Sequence, residues 1–318
     1  MAITIGRLGY VGFGIEDTPG DPVEADVYLP YTDISMRGHH EPLPILGSKT
    51  SRLMDKDSSV GKKWGEGDIK IDCDIVNSGY LWKCALGSEI YTAGTPSSHL
   101  FYTTVSGNTP TTATIIFGRD TDIEQYSFAT CDTLKLEVSD GLAALTASFQ
   151  SKFPTVGSAQ TVTTTSGTVL SFKDLALKFG TTLTTAAAAS ATPANEFSLT
   201  LVNNSEVIYR SGSSDISIIR TKGFRASGTY TLFFDSETDK NAYYALNKRA
   251  MDATFTGNAN EDLHIRISRF RLNEGEVSTG LEDFFVIKGE FVAEDWLDTG
   301  TATRLIDVRL RNDKASAY

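Results

Sequence analysis

The chain carries one structural phrase twice, and this repetition constrains its fold more than any other feature. Residues 67–74 (GDIKIDCD) alternate polar and apolar side chains, then lead through Asn77 and Ser78 into the helix-like YLWKCAL at 80–86. Residues 228–235 (GTYTLFFD) precede Ser236 to Asp239 and the helix-like AYYALNKR at 242–249. Each copy closes on a similar alternating segment, LTASF at 145–149 and IKGEF at 287–291. A period of two marks a pleated strand with one buried face, so a chain repeating such a phrase reads as two tandem β-rich domains. Its 318 residues suit about two domains. The small polar residues from Thr155 to Thr168 suit a linker. The expected division is therefore 1–157 and 158–318, and the expected class is mainly β: two tandem sandwich or barrel-like units, each with one flanking α-helix.

Within the first copy, Ile69, Ile71, Cys73 and Ile75 fall on one face of a strand, and Asp68, Lys70, Asp72 and Asp74 on the other. One face packs and the other meets water. Asn77 or Ser78 suits a helix cap, and Leu81, Ala85 and Leu86 a stripe facing the sheet. From Met36 to Glu66 neither period holds, so the stretch reads as a long loop; loops beyond about 12–15 residues commonly serve an interface. In the second copy a helix is expected from Glu237 to about Met251. Thr181 to Asn195 reads as an exposed loop, because its alanine run is too short for an isolated helix. Near the end of the chain, Ile306, Val308 and Leu310 alternate with Asp307, Arg309 and Arg311, a one-faced strand that must find a partner.

The formal charge of −11 argues against a protein that grips nucleic acid through its phosphates, which requires Lys and Arg to displace counterions. Residues 1–160 hold 12 basic and 20 acidic groups, 12 − 20 = −8, so most of the excess lies in the first copy. Cys73, Cys84 and Cys131 form no CxxC or CxH pattern and read as small reduced core residues. The first residues lack a signal-peptide pattern and no apolar run approaches membrane-spanning length, so folding in a reducing cytosol is expected.

Chemistry-bearing patterns are sparse. The chain has no GxSxG elbow, HExxH helix or GxxxxGK[ST] loop. His39 and His40 are adjacent, and His99 and His264 lie elsewhere; none has metal-ligand spacing. The acids at 55–57 and 120–124 lack the central Gly and closing Glu of a calcium loop. His264, Arg266, Arg269 and Arg271 form the one basic concentration, with acids close by, and read as a protein interface. Neither catalysis nor a cofactor is expected.

The order of several short motifs resembles the major tail tube protein of long-tailed, non-contractile phages. These are GYVGF at 9–13 with its Thr18-Pro-Gly segment, the stretch through Arg52, GEGDIKI at 65–71 leading to GYLWKCALG at 79–87, and the paired segments ending at Phe149 and Phe291. The resemblance implies tube-type β-sandwiches whose strands join those of neighbours into a ring with a continuous β-barrel wall. An edge strand is an aggregation hazard unless paired, and addition of a neighbour's strand pairs it. A duplicated chain then implies three subunits in a pseudo-sixfold ring, rings stacked into a tube, and DNA passing without specific binding. Asp68, Lys70, Asp72 and Asp74, with Thr229 and Thr231 in the second copy, become candidates for the lumen face. Arg37, His39, His40, Lys49, Arg52, Lys56, Arg309 and Arg311 become candidates for contacts between stacked rings. Further implied partners are a tape-measure protein and tail-tip or terminator proteins, with no membrane, and the implied location is the virion after synthesis in the host cytoplasm. The alternative is a two-domain adhesin or baseplate component that offers Ser/Thr-rich loops such as Thr92 to Thr114 to a receptor or glycan.

Overall fold

The computed structural model describes residues 9–46, 55–103, 110–120, 122–165, 167–233, 241, 244–258, 260–278, 286–294 and 304–318. The first half builds β1 (Tyr10–Ile15), β2 (Val27–Leu29), β3 (Tyr31–Ile34), β4 (Arg37–Leu46), β5 (Asp55–Asp72), α1 (Ser78–Leu86), β6 (Ser88–Thr92), β7 (Ser97–Tyr102), β8 (Thr112–Arg119), β9 (Asp122–Val138), β10 (Ala144–Ser151) and β11 (Thr155–Val156). The second half supplies β12 (Leu175–Gly180), α2 (Leu183–Ala188), β13 (Ala194–Val202), β14 (Ser205–Tyr209), β15 (Ile216–Thr221), β16 (Arg225–Phe233), β17 (Arg249–Thr256), β18 (Asp262–Ser278), β19 (Val286–Ala293) and β20 (Ile306–Asn312). The fold is mainly β, as the alternating segments require.

The repeated phrase adopts one pairing scheme twice. In the first half β10 lies between β5 and β9, with Phe149 opposite Gly67 on one side and Cys131 on the other. In the second, β19 lies between β16 and β18, with Phe291 opposite Gly228 and Leu272. Even the irregularities repeat. One residue of β9 (Asp132) and one of β18 (Asn273) are skipped just beyond the phenylalanine. The β3–β5 pair skips Thr32, and the β13–β16 pair skips Asn195 at the equivalent place. A bulge bends a strand and pins its register, so each copy curves alike.

The halves are not separate in space. β13 pairs with β9 across the midpoint of the chain, and β20 runs between β18 and β7. One apolar cluster extends from Val11, Phe13 and Ile69 to Phe291, Val308 and Leu310. Helix α1 is packed into it so completely that Leu81 and Trp82 are fully buried.

Three local expectations differ. Within Met36 to Glu66 the described residues, which exclude 47–54, form a β-hairpin, β4 against β5 with His39 opposite Trp64 and Leu43 opposite Ser59. Its strands escape a periodicity search because both faces of β4 are largely exposed, so no alternation is imposed. Pro42 and Pro44 are tolerated on an edge strand, with a register shift between His40 and Pro42. Within Thr181 to Asn195, α2 forms after all. The Thr182 hydroxyl accepts a hydrogen bond from the Thr185 amide (3.2 Å), and Ala186 is fully buried against the sheet. Of the helix expected from Glu237 to about Met251, residues 237–240, 242 and 243 lie outside the described residues, and the described remainder leaves the helix after Tyr244 for a turn and then a strand. The Ala245 amide donates to the Asn241 carbonyl (3.0 Å), and Arg249 already begins β17.

Candidate functional site

The pairings define one curved sheet in the order β3–β5–β10–β9–β13–β16–β19–β18. Alternation sends Ile69, Leu145, Leu136, Leu199 and Tyr230 into the core. The opposite face is polar. Asp68 and Lys70 on β5 are exposed, and Asp72 is half-buried. Across the ladder stand Ser148, Thr146 and Ala144, then Thr133, Lys135 and Glu137. Lys135 and Glu137 form an exposed ion pair (2.7 Å). The face continues through Ser198 and Thr229, whose hydroxyls are 2.8 Å apart, to Glu290 on β19.

Two residues expected on this face lie elsewhere or are covered. Asp74 is 2% exposed. Its Oδ1 accepts hydrogen bonds from the Val76 and Asn77 amides (2.8 and 2.6 Å) and its Oδ2 from Asn77 Nδ2 (3.0 Å). The strand ends at Asp72, so the alternation no longer holds at Asp74, and its carboxylate gathers the backbone that leads into α1. Burial pushes the Asp74 carboxyl above its ordinary range despite these hydrogen bonds. Thr231 is buried beneath Glu196, donating to its Oε2 (3.1 Å), whereas Thr229 is exposed.

The seam between the halves is built from both strands and side chains. Phe197 to Val202 of β13 run opposite Val138 to Thr133 of β9. At its end the buried Asn203 donates its backbone amide to the Asp132 carbonyl (2.8 Å) and Nδ2 to the carbonyls of Cys131 (2.9 Å) and Ala85 (3.0 Å). The β14–β15 hairpin then lies across the first half: Lys63 donates to the Ser214 carbonyl (2.8 Å), and Ile216 and Ile219 pack with Phe128 and Trp64.

A second seam joins β20 to β7. Asn312 Nδ2 donates to the Ile75 carbonyl (2.7 Å), and the Tyr318 hydroxyl to the Val76 carbonyl (2.6 Å). The Tyr318 ring lies edge-on to Tyr80 (4.9 Å) and His99 (4.8 Å). Arg309 and Arg311, expected between rings, face the acids of this sheet and both pair with Asp262, each side chain keeping about a third or more of its surface exposed. Arg266 donates to Asp307 (2.6 Å), and His264 lies 3.4 Å from Asp252. The basic concentration is thus matched within the chain. Burial raises the Asp252 carboxyl, but His264, Thr254 and Arg266 outweigh it and hold it below its ordinary range.

The profile of the phage tail tube protein family matches residues 6–281. The chain belongs to the phage tail tube protein family. A search of curated proteins returns no significant match. As a tail tube protein it is a structural component of the phage tail, and its mainly β architecture accords with that role.

Among the tube protein's remaining expected contact residues, Arg37 is exposed at the start of β4 with Nε 3.0 Å from His39 Nε2. His39 stacks on Trp64 (5.4 Å) and lies 3.3 Å from Glu66. His40 is exposed on β4. Lys49 and Arg52 lie outside the described residues, and Lys56 occupies a β5 backbone position near the hairpin tip. Sequence reasoning missed the hairpin's apolar exposure: Leu43, Ile45, Leu46 and Val60 are all 44–65% exposed. Their signal was a cluster of aliphatics with no period to bury them.

The Thr92 to Thr114 excursion, assigned to receptor contact in the alternative reading, holds β7, whose His99 is fully buried in the second seam; residues 104–109 lie outside the described set. Among the described residues no group of three His, Cys, Asp or Glu side chains is arranged to hold a metal, and no helix is long and apolar enough to cross a membrane. The three cysteines are buried and free, and burial pushes the Cys73 thiol up to about 12.

Proposed function

We propose that this chain closes into rings of three subunits, each giving two tube units, and that the rings stack into the conduit for phage DNA. The observation that carries this reading is the β9–β13 seam: two copies of one unit already share a continuous sheet, whose outer strands, β3 and the far end of β18, pair on one side only among the described residues. Open edges recruit further strands, and a rotation that repeats at each seam closes a ring. The polar face then lines the bore. Asp68, Asp72, Glu137 and Glu290 repel phosphates and outnumber Lys70, Lys135 and Lys288 on that face, and the intervening hydroxyls add no cation. The exposed apolar β4–β5 hairpin, with His40, Lys49, Arg52 and Lys56, reaches the adjacent ring. Tape-measure, tail-tip and terminator proteins occupy the lumen and ends, and the chain is made in the host cytoplasm and delivered to the virion.

Electron microscopy of the purified protein tests this directly. Hollow tubes or stacked rings with six lobes are expected. Persistent monomers at high concentration would overturn it.

A further inference from the structure

The internal seam is a template for the seam between chains. The pairing scheme maps Ile34 onto Phe197, because each stands beside the residue (Ile69 or Tyr230) two places after the glycine opposite the core phenylalanine. It maps β18 onto β9 through Leu272 and Cys131, which face those same phenylalanines. Carrying the observed β9–β13 register across gives one alignment. We infer that residues 35–39 of one chain pair antiparallel with residues 274–278 of a second copy, Ser35 opposite Ser278 and Arg37 opposite Glu276. This inference rests on the ring reading above and specifies its contact.

The backbone is prepared for it. The Ser35 amide donates inward to the Asp68 carbonyl (2.9 Å), so alternation turns the peptide groups of Ile34 and Met36 toward the open side. At the internal seam the equivalent phase holds, with the Asn203 amide donating across to Asp132.

Residue chemistry agrees with the register. Where Leu199 stands opposite Leu136 and Leu201 opposite Leu134 internally, the transferred register positions are Met36 with 277, a valine in the sequence, and Gly38 with 275, a glycine. The positions of Ser198–Glu137 and Thr200–Lys135 become Ser35–Ser278 and Arg37–Glu276 in register, and His39 falls opposite Glu274. The Arg37 position thus meets a glutamate position across the strands, a favourable arrangement for directly opposed pairs. A slip by one residue would put Met36 against a polar position and turn every side chain to the wrong face. Arg37 and His39, expected between stacked rings, thereby become contacts within a ring.

Single-cysteine variants Ser35→Cys and Ser278→Cys, mixed and oxidised, test the alignment. Directly opposed residues lie about 4.5–5.5 Å apart at Cα, within disulfide reach, and the native thiols are at most 2% exposed. The mixture is expected to give a covalent two-chain product that neither variant gives alone, and the double variant a ladder ending at the ring number. Stronger cross-linking of Ser35→Cys with Glu276→Cys would overturn the register. As a second readout, Arg37→Glu and Glu276→Arg are each expected to lower assembly at least tenfold, and the double exchange to restore it; absence of rescue counts against the pairing. If wild-type protein forms tubes but the 35–278 link never appears, this inference falls and the ring reading stands. If wild-type protein forms no rings, the ring reading itself falls.

Discussion

Phe291 lies directly across the ladder from Gly228, and a methyl group added at that glycine would stand 2.6 Å from its ring. The same methyl would meet the Ser198 carbonyl. Gly228→Ala is therefore expected to destabilise the chain by about 1–3 kcal/mol through overpacking. Gly141→Ala, where nothing lies within 4 Å, is the control. Thermal unfolding that ranks the two variants equal would refute the packing argument.

Asn203 is the side chain that ties the halves together. Asn203→Ala leaves the Ala85 and Cys131 carbonyls without this donor, at a cost of about 1–3 kcal/mol. Denaturant unfolding should show the loss, with faster proteolysis within residues 155–168. A wild-type midpoint would mean that the strand pairing alone holds the seam.

Glu89 sets part of the acid response. It lies 2.9 Å from His99 and 3.1 Å from Lys83. Burial raises its carboxyl, but those partners and the Tyr318 amide outweigh burial, so it titrates below its ordinary 4.5. A carboxylate depressed by folding contributes stability that is complete above its unfolded value and disappears as pH falls through its folded one. Asp74 and Asp307, raised by burial, act in the opposite sense and offset part of the slope. Glu89→Gln is expected to be less stable at neutral pH and flatter in its stability profile below about pH 4.5. Identical acid slopes in the two proteins would exclude Glu89 as the source.

The exposed aliphatics of the β4–β5 hairpin separate folding from assembly. Leu43→Ser combined with Val60→Ser should change unfolding free energy by no more than about 0.5 kcal/mol. The same protein should lose long tubes in electron micrographs while retaining single rings. Normal tube lengths would remove the hairpin from the ring-to-ring contact.

The bore reading predicts a charge effect. Asp68→Lys with Glu137→Lys replaces two carboxylates on the polar face by cations. Assembled variant tubes should retain duplex DNA at low salt and release it as salt rises, as counterion release requires. Wild-type tubes should not. Equal retention by both would place this face away from the DNA path.

Much of the architecture was legible because alternation is imposed wherever one face of a strand is buried. Ile69 with Ile71, and Ile306 with Val308 and Leu310, carry that signature, and the matched phrases ending at Phe149 and Phe291 do occupy equivalent ladder positions. The β4–β5 hairpin was hidden because its exposure leaves no period to read. The α2 helix was hidden because its stability comes from the burial of Ala186, a tertiary contact. Asp74 was misplaced because a strand's end, unlike its interior, follows no alternation. Asn203 carried no local signal at all: its partners, Ala85 and Cys131, are 118 and 72 residues away.

The β9–β13 seam forms whenever a single polypeptide folds, so dilution cannot open it. In a trimeric ring half of all joints would then be permanent, and assembly would need fewer collisions than six separate units demand. At that joint leucines stand opposite leucines, and Lys135 and Glu137 pair with each other along one strand while facing hydroxyls across it. On the proposed register, discrimination between right and wrong neighbours would fall to the other joint, where the arginine, the histidine and the glutamates would stand.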